Sequence, residues 1–231
     1  MKRSLFSAKM LNMIGIVDYN AGNIKSVQRS LDFIKAPYIV SKNPLELKDA
    51  DRIIFPGVGE ARDAMEQLKK TGFDVFLKDK VQENIPVMGI CLGSQIVFDW
   101  SEEGDTECLG LLKGKIRHFA SVWKERHPDE NEQKEYAMLD NQLKIPHMGW
   151  NDVAFTNGSC SLLDGVPDHS DFYFVHSYVI QPENPEVIKG YADYGMMVPA
   201  VVQEKNITVF QFHPEKSGEN GLRILRNFAE K

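Results

Sequence analysis

The segment Val87-Met88-Gly89-Ile90-Cys91-Leu92-Gly93-Ser94-Gln95 constrains this chain more than any other. An apolar run ends abruptly in Gly-Ile-Cys-Leu-Gly, and a helix-like segment from Gln95 to Trp100 follows at once. This is the glycine-x-nucleophile-x-glycine pattern of a strand-to-helix elbow, with cysteine where serine often stands. Such a turn forces its central residue into a sparsely populated backbone conformation. Gly89 and Gly93 leave room for the tight crossing of strand and helix. The elbow aims the sulfur out of the sheet, and the N–H groups that open the next helix favour thiolate over thiol. A lone cysteine is more commonly a small buried hydrophobe. The flanking glycines favour the reactive reading.

A cysteine nucleophile needs a base, and one lies far downstream. Ile207 to Phe212 reads as a strand running straight into His213-Pro214-Glu215. Open α/β sheets gather their ligands at the C-terminal ends of strands, where this histidine falls. Pro214 cannot continue a ladder and sets the chain's exit. Glu215 can then turn back onto the imidazole, as the acid of a nucleophile–base–acid triad does. Alone, His213 reads as a turn histidine; paired with the elbow, it reads as the base. A third element is Arg52-Ile53-Ile54-Phe55, a short strand ending in Pro56-Gly57-Val58-Gly59. Its N–H groups at Val58 and Gly59, with that of Leu92, are suited to hold an oxyanion. Without Cys91 the same loop would read as an ordinary strand-to-helix turn.

Strands and helices alternate through the first half: strands at 14–19, 38–40 and 52–55, helices at 23–34, 60–70 and 73–84. That alternation predicts an α/β fold, a mostly parallel open sheet flanked by helices. Shorter, antiparallel pieces are expected around 115–119, 151–155, 172–178 and 197–203, then a closing helix over 220–229 that buries Leu222, Leu225 and Phe228. With 231 residues, 42% of them hydrophobic, the chain can bury a full core without disulfides. A net charge of −6 argues against a nucleic-acid binder. Cys91, Cys108 and Cys160 show no metal-ligand spacing, and their odd number suits reduced thiols in the cytoplasm. No apolar run reaches membrane-spanning length.

Together, Pro56-Gly57-Val58-Gly59, the Cys91 elbow and His213-Pro214-Glu215 resemble the class I, triad glutamine amidotransferases. Four further segments are similar to the glutaminase subunits of imidazole glycerol phosphate synthase: 18–23 (Asp-Tyr-Asn-Ala-Gly-Asn), 145–151 (Ile-Pro-His-Met-Gly-Trp-Asn), 173–178 and 211–218. The resemblance runs from about Met13 to the C-terminus, as a single flavodoxin-like three-layer domain over 13–231. It implies that Gln95, Glu103 and the backbone of Ser177 and Tyr178 hold the glutamine. Glu103 reads equally as part of a charged helix exit. The resemblance also implies a heterodimer with a (β/α)8-barrel cyclase subunit. That barrel would receive ammonia and make imidazole glycerol phosphate and aminoimidazole carboxamide ribonucleotide for histidine biosynthesis. Tyr19, Asn20, Asn23, His147, Met148 and Trp150 then belong at or near the subunit interface, although Trp150 reads equally as a core residue closing the sheet edge. No cofactor and no metal are implied.

The chain departs from that pattern in three places. Ser94 stands where methionine is usual, beside the nucleophile, and is expected to tune activity. Residues 1–12 precede the first strand as an extension. The charged stretch from Ala120 to Leu143 reads as a surface excursion, partly helical around 131–139. Two other readings fit the motifs: a paralogous glutaminase feeding another synthase, such as a surface-sugar amidotransferase, and a catalytically silent regulatory subunit. A silent subunit has no chemical need for all of Cys91, His213 and Glu215.

Overall fold

The computed structural model describes residues 12–20, 23–126, 144–158 and 160–231. β1 (Ile14–Val17), β2 (Tyr38–Ser41), β3 (Arg52–Gly57) and β4 (Val87–Cys91) alternate with α1 (Ile24–Phe33), α2 (Ala61–Thr71) and α3 (Phe73–Gln82). β1, β3 and β4 are buried along their whole length, which is why their sequences, apart from Arg52 at the start of β3, are continuous apolar runs. α2 buries Ala61, Ala64, Met65 and Leu68, the stripe of a helix with one wet face. Gly72, at φ 78°, adopts the left-handed conformation that ends α2 and lets α3 begin at once.

After the elbow come α4 (Leu92–Gln95), β5 (Trp100–Ser101), β6 (Thr106–Glu107), β7 (Gly114–His118) and α5 (Phe119–Arg126). Then follow β8 (His147–Phe155), β9 (Ser170–His176), β10 (Tyr178–Pro182), β11 (Ile188–Asp193), β12 (Met197–Glu204), β13 (Ile207–Phe210) and the closing α6 (Gly218–Glu230). The main sheet has the order β2-β1-β3-β4-β13-β12-β11-β8-β9, and a second sheet has the order β10-β7-β5-β6. From β2 to β13 every neighbour is parallel; from β13 to β9 every neighbour is antiparallel. This is the α/β architecture expected, with the antiparallel portion supplied by the second half.

Apolar layers cover the sheet. One gathers Phe55, Leu68, Phe73, Leu77 and Phe98; the other gathers Leu31, Ile90, Phe172, Phe212 and Leu225. In α6 Ile224 is fully buried while Leu222 stays partly exposed, so the inward stripe differs from the expected one by a residue.

Three expectations need correction. The helix after the elbow stops at Gln95, because Trp100 and Ser101 leave it to pair with β6 and β7. The stretch 172–178 is not one strand: β9 ends at His176, and Tyr178 opens β10 in the other sheet. Residues 120–126 are not a solvated excursion. They continue α5, whose Phe119, Val122 and Trp123 bury themselves against Val179, Met196 and Val198. The remainder of that stretch, 127–143, lies outside the described residues, as do residues 1–11 of the N-terminal extension.

The sheet curls strongly. Five strand steps separate β4 from β9, which would place them roughly 24 Å apart in a flat sheet. Instead the Cys91 sulfur lies 3.7 Å from the Val175 carbonyl oxygen, and the His213 N–H donates to the Tyr173 carbonyl at 2.9 Å. The β8–β9 hairpin thus folds back over the C-terminal ends of the parallel strands. Among the described residues no helix is long and apolar enough to cross a membrane, and no side-chain group could hold a metal ion.

Candidate active site

Cys91 closes β4 with φ 52° and ψ −110°, a conformation unfavourable for any side-chain-bearing residue. The crossing that holds it there excludes side chains. A Cβ on Gly93 would lie 2.0 Å from the Phe55 carbonyl oxygen, and one on Gly89 would lie 2.7 Å from the Gly93 oxygen. Ser94, fully buried, donates its hydroxyl to the Cys91 carbonyl, so it braces the elbow from within the same turn.

His213 follows β13 and opens a short 3-10 turn (Pro214–Lys216). That turn brings Glu215 back, and Nδ1 of His213 lies 2.7 Å from Glu215 Oε1, with side chains only 1% and 2% exposed. Ser217 ties the turn to β9: its hydroxyl donates to the His213 carbonyl and accepts the Tyr173 N–H. Ser30 of α1 donates to the Glu215 carbonyl. Nε2 of His213 is buried and has no hydrogen bond of ordinary geometry, a looseness common before substrate binds. Burial alone would push this imidazole down. The nearby Cys91 sulfur, joined by the hydrogen-bonded Glu215 carboxylate, outweighs it and raises the pKa to about 9. The ring is therefore an imidazolium at neutral pH, placed between a sulfur and a carboxylate. Burial pushes the Cys108 thiol up to about 12 and also raises that of Cys160.

A cavity of about 280 Å³ opens at Cys91. It brings together Cys91, Leu92, Val58, Gly59, Gln95, Glu103, Ser177 and Tyr178, all of which the sequence singled out. It adds Pro146, Val175 and His176, which lie in the segments 145–151 and 173–178 singled out above but had no site role assigned. Gly59 has φ 104°, open to glycine alone, so the turn after β3 can present its backbone toward the cavity. Leu92 is the first residue of α4, and its N–H has no partner within that helix. Glu103 lines the wall with one oxygen engaged: Oε2 accepts the Ala61 N–H at 2.8 Å, at the start of α2. Half-burial raises its pKa, only partly offset by that N–H. Gln95 is engaged as well, donating through Nε2 to Gln211 Oε1 at 2.9 Å and to the Tyr178 carbonyl at 3.3 Å. Gln211 was missed; its signal was a single polar residue between Phe210 and Phe212.

The six residues expected at an interface divide. Met148 and Trp150 are 61% and 58% exposed, and Asn20 and Asn23 are also exposed. Tyr19 and His147 are buried, at 0% and 2%, so they lie beneath the surface and not on it. Tyr19 packs its ring on Phe55 and its hydroxyl near Gly57, and His147 stacks on Phe174 and Tyr194. Aromatic bulk pulled both inward, since each gains more from burial than from a wet surface.

A family model for glutamine amidotransferase class-I matches residues 15–231. The chain belongs to the class-I glutamine amidotransferase family. It is 44% identical over 220 residues to the imidazole glycerol phosphate synthase subunit HisH of Geobacillus thermodenitrificans, covering 95% of this chain and 96% of that one. With HisH of Bacillus subtilis it shares 43% identity over 219 residues, 94% and 96% of the two chains. Among solved structures, a crystal structure of a glutamine amidotransferase superposes with a TM-score of 0.67 at 15% identity, covering 94% and 97%. PurLQS from Thermotoga maritima gives 0.65 at 16% identity, covering 94% and 96%. These distant structures share the fold. The glutamine amidotransferase is thus an α/β enzyme whose cavity opens on a strained cysteine.

Proposed function

We propose that this glutamine amidotransferase hydrolyses glutamine to glutamate and ammonia through Cys91, His213 and Glu215, as the glutaminase subunit of an imidazole glycerol phosphate synthase. The observation that carries the reading is the buried His213–Glu215 pair, 2.7 Å apart, beside a cysteine held at positive φ in a cavity wall. The Cys91 thiolate attacks the carboxamide carbon, forming a carbon–sulfur bond while the carbonyl π electrons move onto oxygen. Backbone N–H groups of Leu92 and of the Val58–Gly59 turn hold that oxyanion. Collapse breaks the carbon–nitrogen bond, and His213 gives its proton to the leaving nitrogen, releasing ammonia. Water then attacks the glutamyl thioester with His213 taking its proton, and cleavage of the carbon–sulfur bond gives glutamate and restores the Cys91 thiolate beside the protonated His213. Glu215 keeps the imidazole oriented throughout and stabilises its charged form. Gln95, Glu103 and the backbone at Ser177 and Tyr178 hold the amino-acid end of the substrate.

Ammonia released into water becomes ammonium, which is no nucleophile. The HisH relatives are subunits by name, and the partner we assign is a (β/α)8-barrel cyclase that receives ammonia through a protected path. Asn20, Asn23, Met148 and Trp150 form the docking face, with Trp150 as an aromatic anchor. Residues 13–231 act as a single domain in the cytoplasm. The test is glutamine turnover with and without the co-purified barrel and its nucleotide ligand, for wild type and Cys91→Ala. Turnover stimulated by the liganded barrel and lowered at least about 10⁴-fold in Cys91→Ala is expected. Cys91-dependent turnover that the barrel never stimulates would point to a different synthase. Turnover that survives Cys91→Ala would remove the triad from the account.

A further inference from the structure

Two buried histidines outside the Cys91–His213–Glu215 set face each other where β8 and β9 pair, His147 directly opposite His176. Nδ1 of His147 lies 3.0 Å from Nε2 of His176. The hydrogens along this contact can be deduced. Nδ1 of His176 is 2.7 Å from the Tyr178 carbonyl oxygen, which only accepts, so that nitrogen carries the hydrogen. A neutral ring then has a bare Nε2, and His147 Nδ1 must donate to it. His147 Nε2 is left as an acceptor. The Asn151 amide donates to it at 3.2 Å and gives its other hydrogen to the Asp193 carbonyl at 2.8 Å.

Burial demands neutral rings here. Desolvation, then the neighbouring His176, pushes His147 down to about 3; desolvation also pushes His176 down to about 4, against its hydrogen bond to Tyr178. A chain of donors therefore runs one way, from Asn151 through His147 and His176 to the Tyr178 oxygen. Packing keeps the rings from turning. His147 stacks on Phe174 with centroids 4.5 Å apart and on Tyr194 at 3.9 Å, and Phe119 lies against both histidines.

Each end of the chain meets something of consequence. The Tyr178 oxygen also accepts from Gln95, and both residues line the Cys91 cavity. At the other end, His147 sits between Pro146, another cavity residue, and the exposed Met148 and Trp150. We infer that His147 and His176 are positioning residues, a hydrogen-bonded relay that holds the glutamine-binding wall at Tyr178 and Gln95 in register with the exposed Met148–Trp150 strand. The inference rests on the proposed function, in that the cavity beside Cys91 is taken to bind glutamine. The relay moves no proton in the reaction. It holds the point where the chain leaves one sheet for the other, at Ser177, to a single geometry.

The test is steady-state glutamine kinetics with the co-purified barrel partner for wild type, His147→Leu, His147→Asn and Cys91→Ala. His147→Leu keeps apolar bulk and removes the donor, so KM for glutamine is expected to rise about five- to tenfold while kcat falls by less. His147→Asn carries an amide nitrogen near the Nδ1 position and is expected to return KM to within about twofold of wild type. A histidine that only stabilises the fold would lower thermal stability in both variants without separating KM from kcat, and that result overturns the relay. Should His147→Leu fail to fold, Asn151→Ala at the partly exposed head of the chain is expected to raise KM about two- to threefold; an unchanged KM there overturns the relay as well. Turnover persisting in Cys91→Ala would overturn the reading of the site itself, so the two failures are distinguishable.

Discussion

His213 and the His147–His176 pair are buried almost equally, yet they hold opposite charge states. His213, 1% exposed, is raised to about 9; His147 and His176, 2% and 6% exposed, fall to about 3 and about 4. Desolvation pushes all of them down. The difference lies in the partners: His213 has the Cys91 sulfur and the Glu215 carboxylate, whereas the pair has another imidazole, an amide and a carbonyl, and the His213 charge itself helps to hold His176 down. Burial therefore decides only that a histidine's charge is expensive to leave unpaired; an adjacent anion decides whether the charge stays. One region keeps a proton on its ring, the other holds neutral rings still.

The largest expected break of this contrast is Glu215→Gln, which preserves shape and removes the anion. kcat for glutamine is expected to fall about 10²–10⁴-fold. The alkaline limb of the kcat/KM profile, expected in the wild type from loss of the His213 proton near pH 9, should move to lower pH. A pH–rate profile of both proteins checks this, and an unmoved limb would assign the proton to another group.

A second break acts on stability. His147 and His176 have folded pKa values below their ordinary 6.5, so the unfolded chain takes up protons first as pH falls. Each ring is expected to remove up to about 1.4 kcal/mol per pH unit between pH 6.5 and its folded pKa. His213 acts in the opposite sense. Its contribution is complete below pH 6.5 and is lost as pH rises through about 9. Urea unfolding from pH 4.5 to 9 should show a steep acid side, flattened in His147→Asn.

The smallest effect sharpens the comparison with a buried group that has neither kind of partner. The Tyr19 hydroxyl is fully buried near Gly57 without a hydrogen bond, and burial, then the nearby Cys91, raises its pKa. Tyr19→Phe is expected to stabilise the fold by about 1 kcal/mol, read as a rise in the urea midpoint. A loss of stability would show that the hydroxyl is satisfied in solution.

Local residue patterns carried much of this protein. The elbow glycines, the apolar run of β4 and the strand entering His213-Pro214-Glu215 dictated a cysteine at a strained turn and a histidine–glutamate pair two residues apart. These are local matters of sterics and φ/ψ, so they can be read residue by residue. The helix Phe119–Arg126 was illegible for the opposite reason: its charged surroundings suggested solvent, and only Val179, Met196 and Val198 from distant strands supply the apolar face it covers. Likewise, His147 reads as a surface residue beside Met148 until Phe174 and Tyr194 enclose it. The curl of the sheet was beyond the sequence altogether. It carries Val175 and Tyr173 of β9 across five strand positions to the Cys91 and His213 tips. Strand identity follows from local periodicity, but how far a sheet twists and folds back depends on what both its faces pack against, a sum over the whole core. The sequence by itself therefore determined where the strained cysteine and the histidine–glutamate pair stand; the tertiary structure decided which walls surround them.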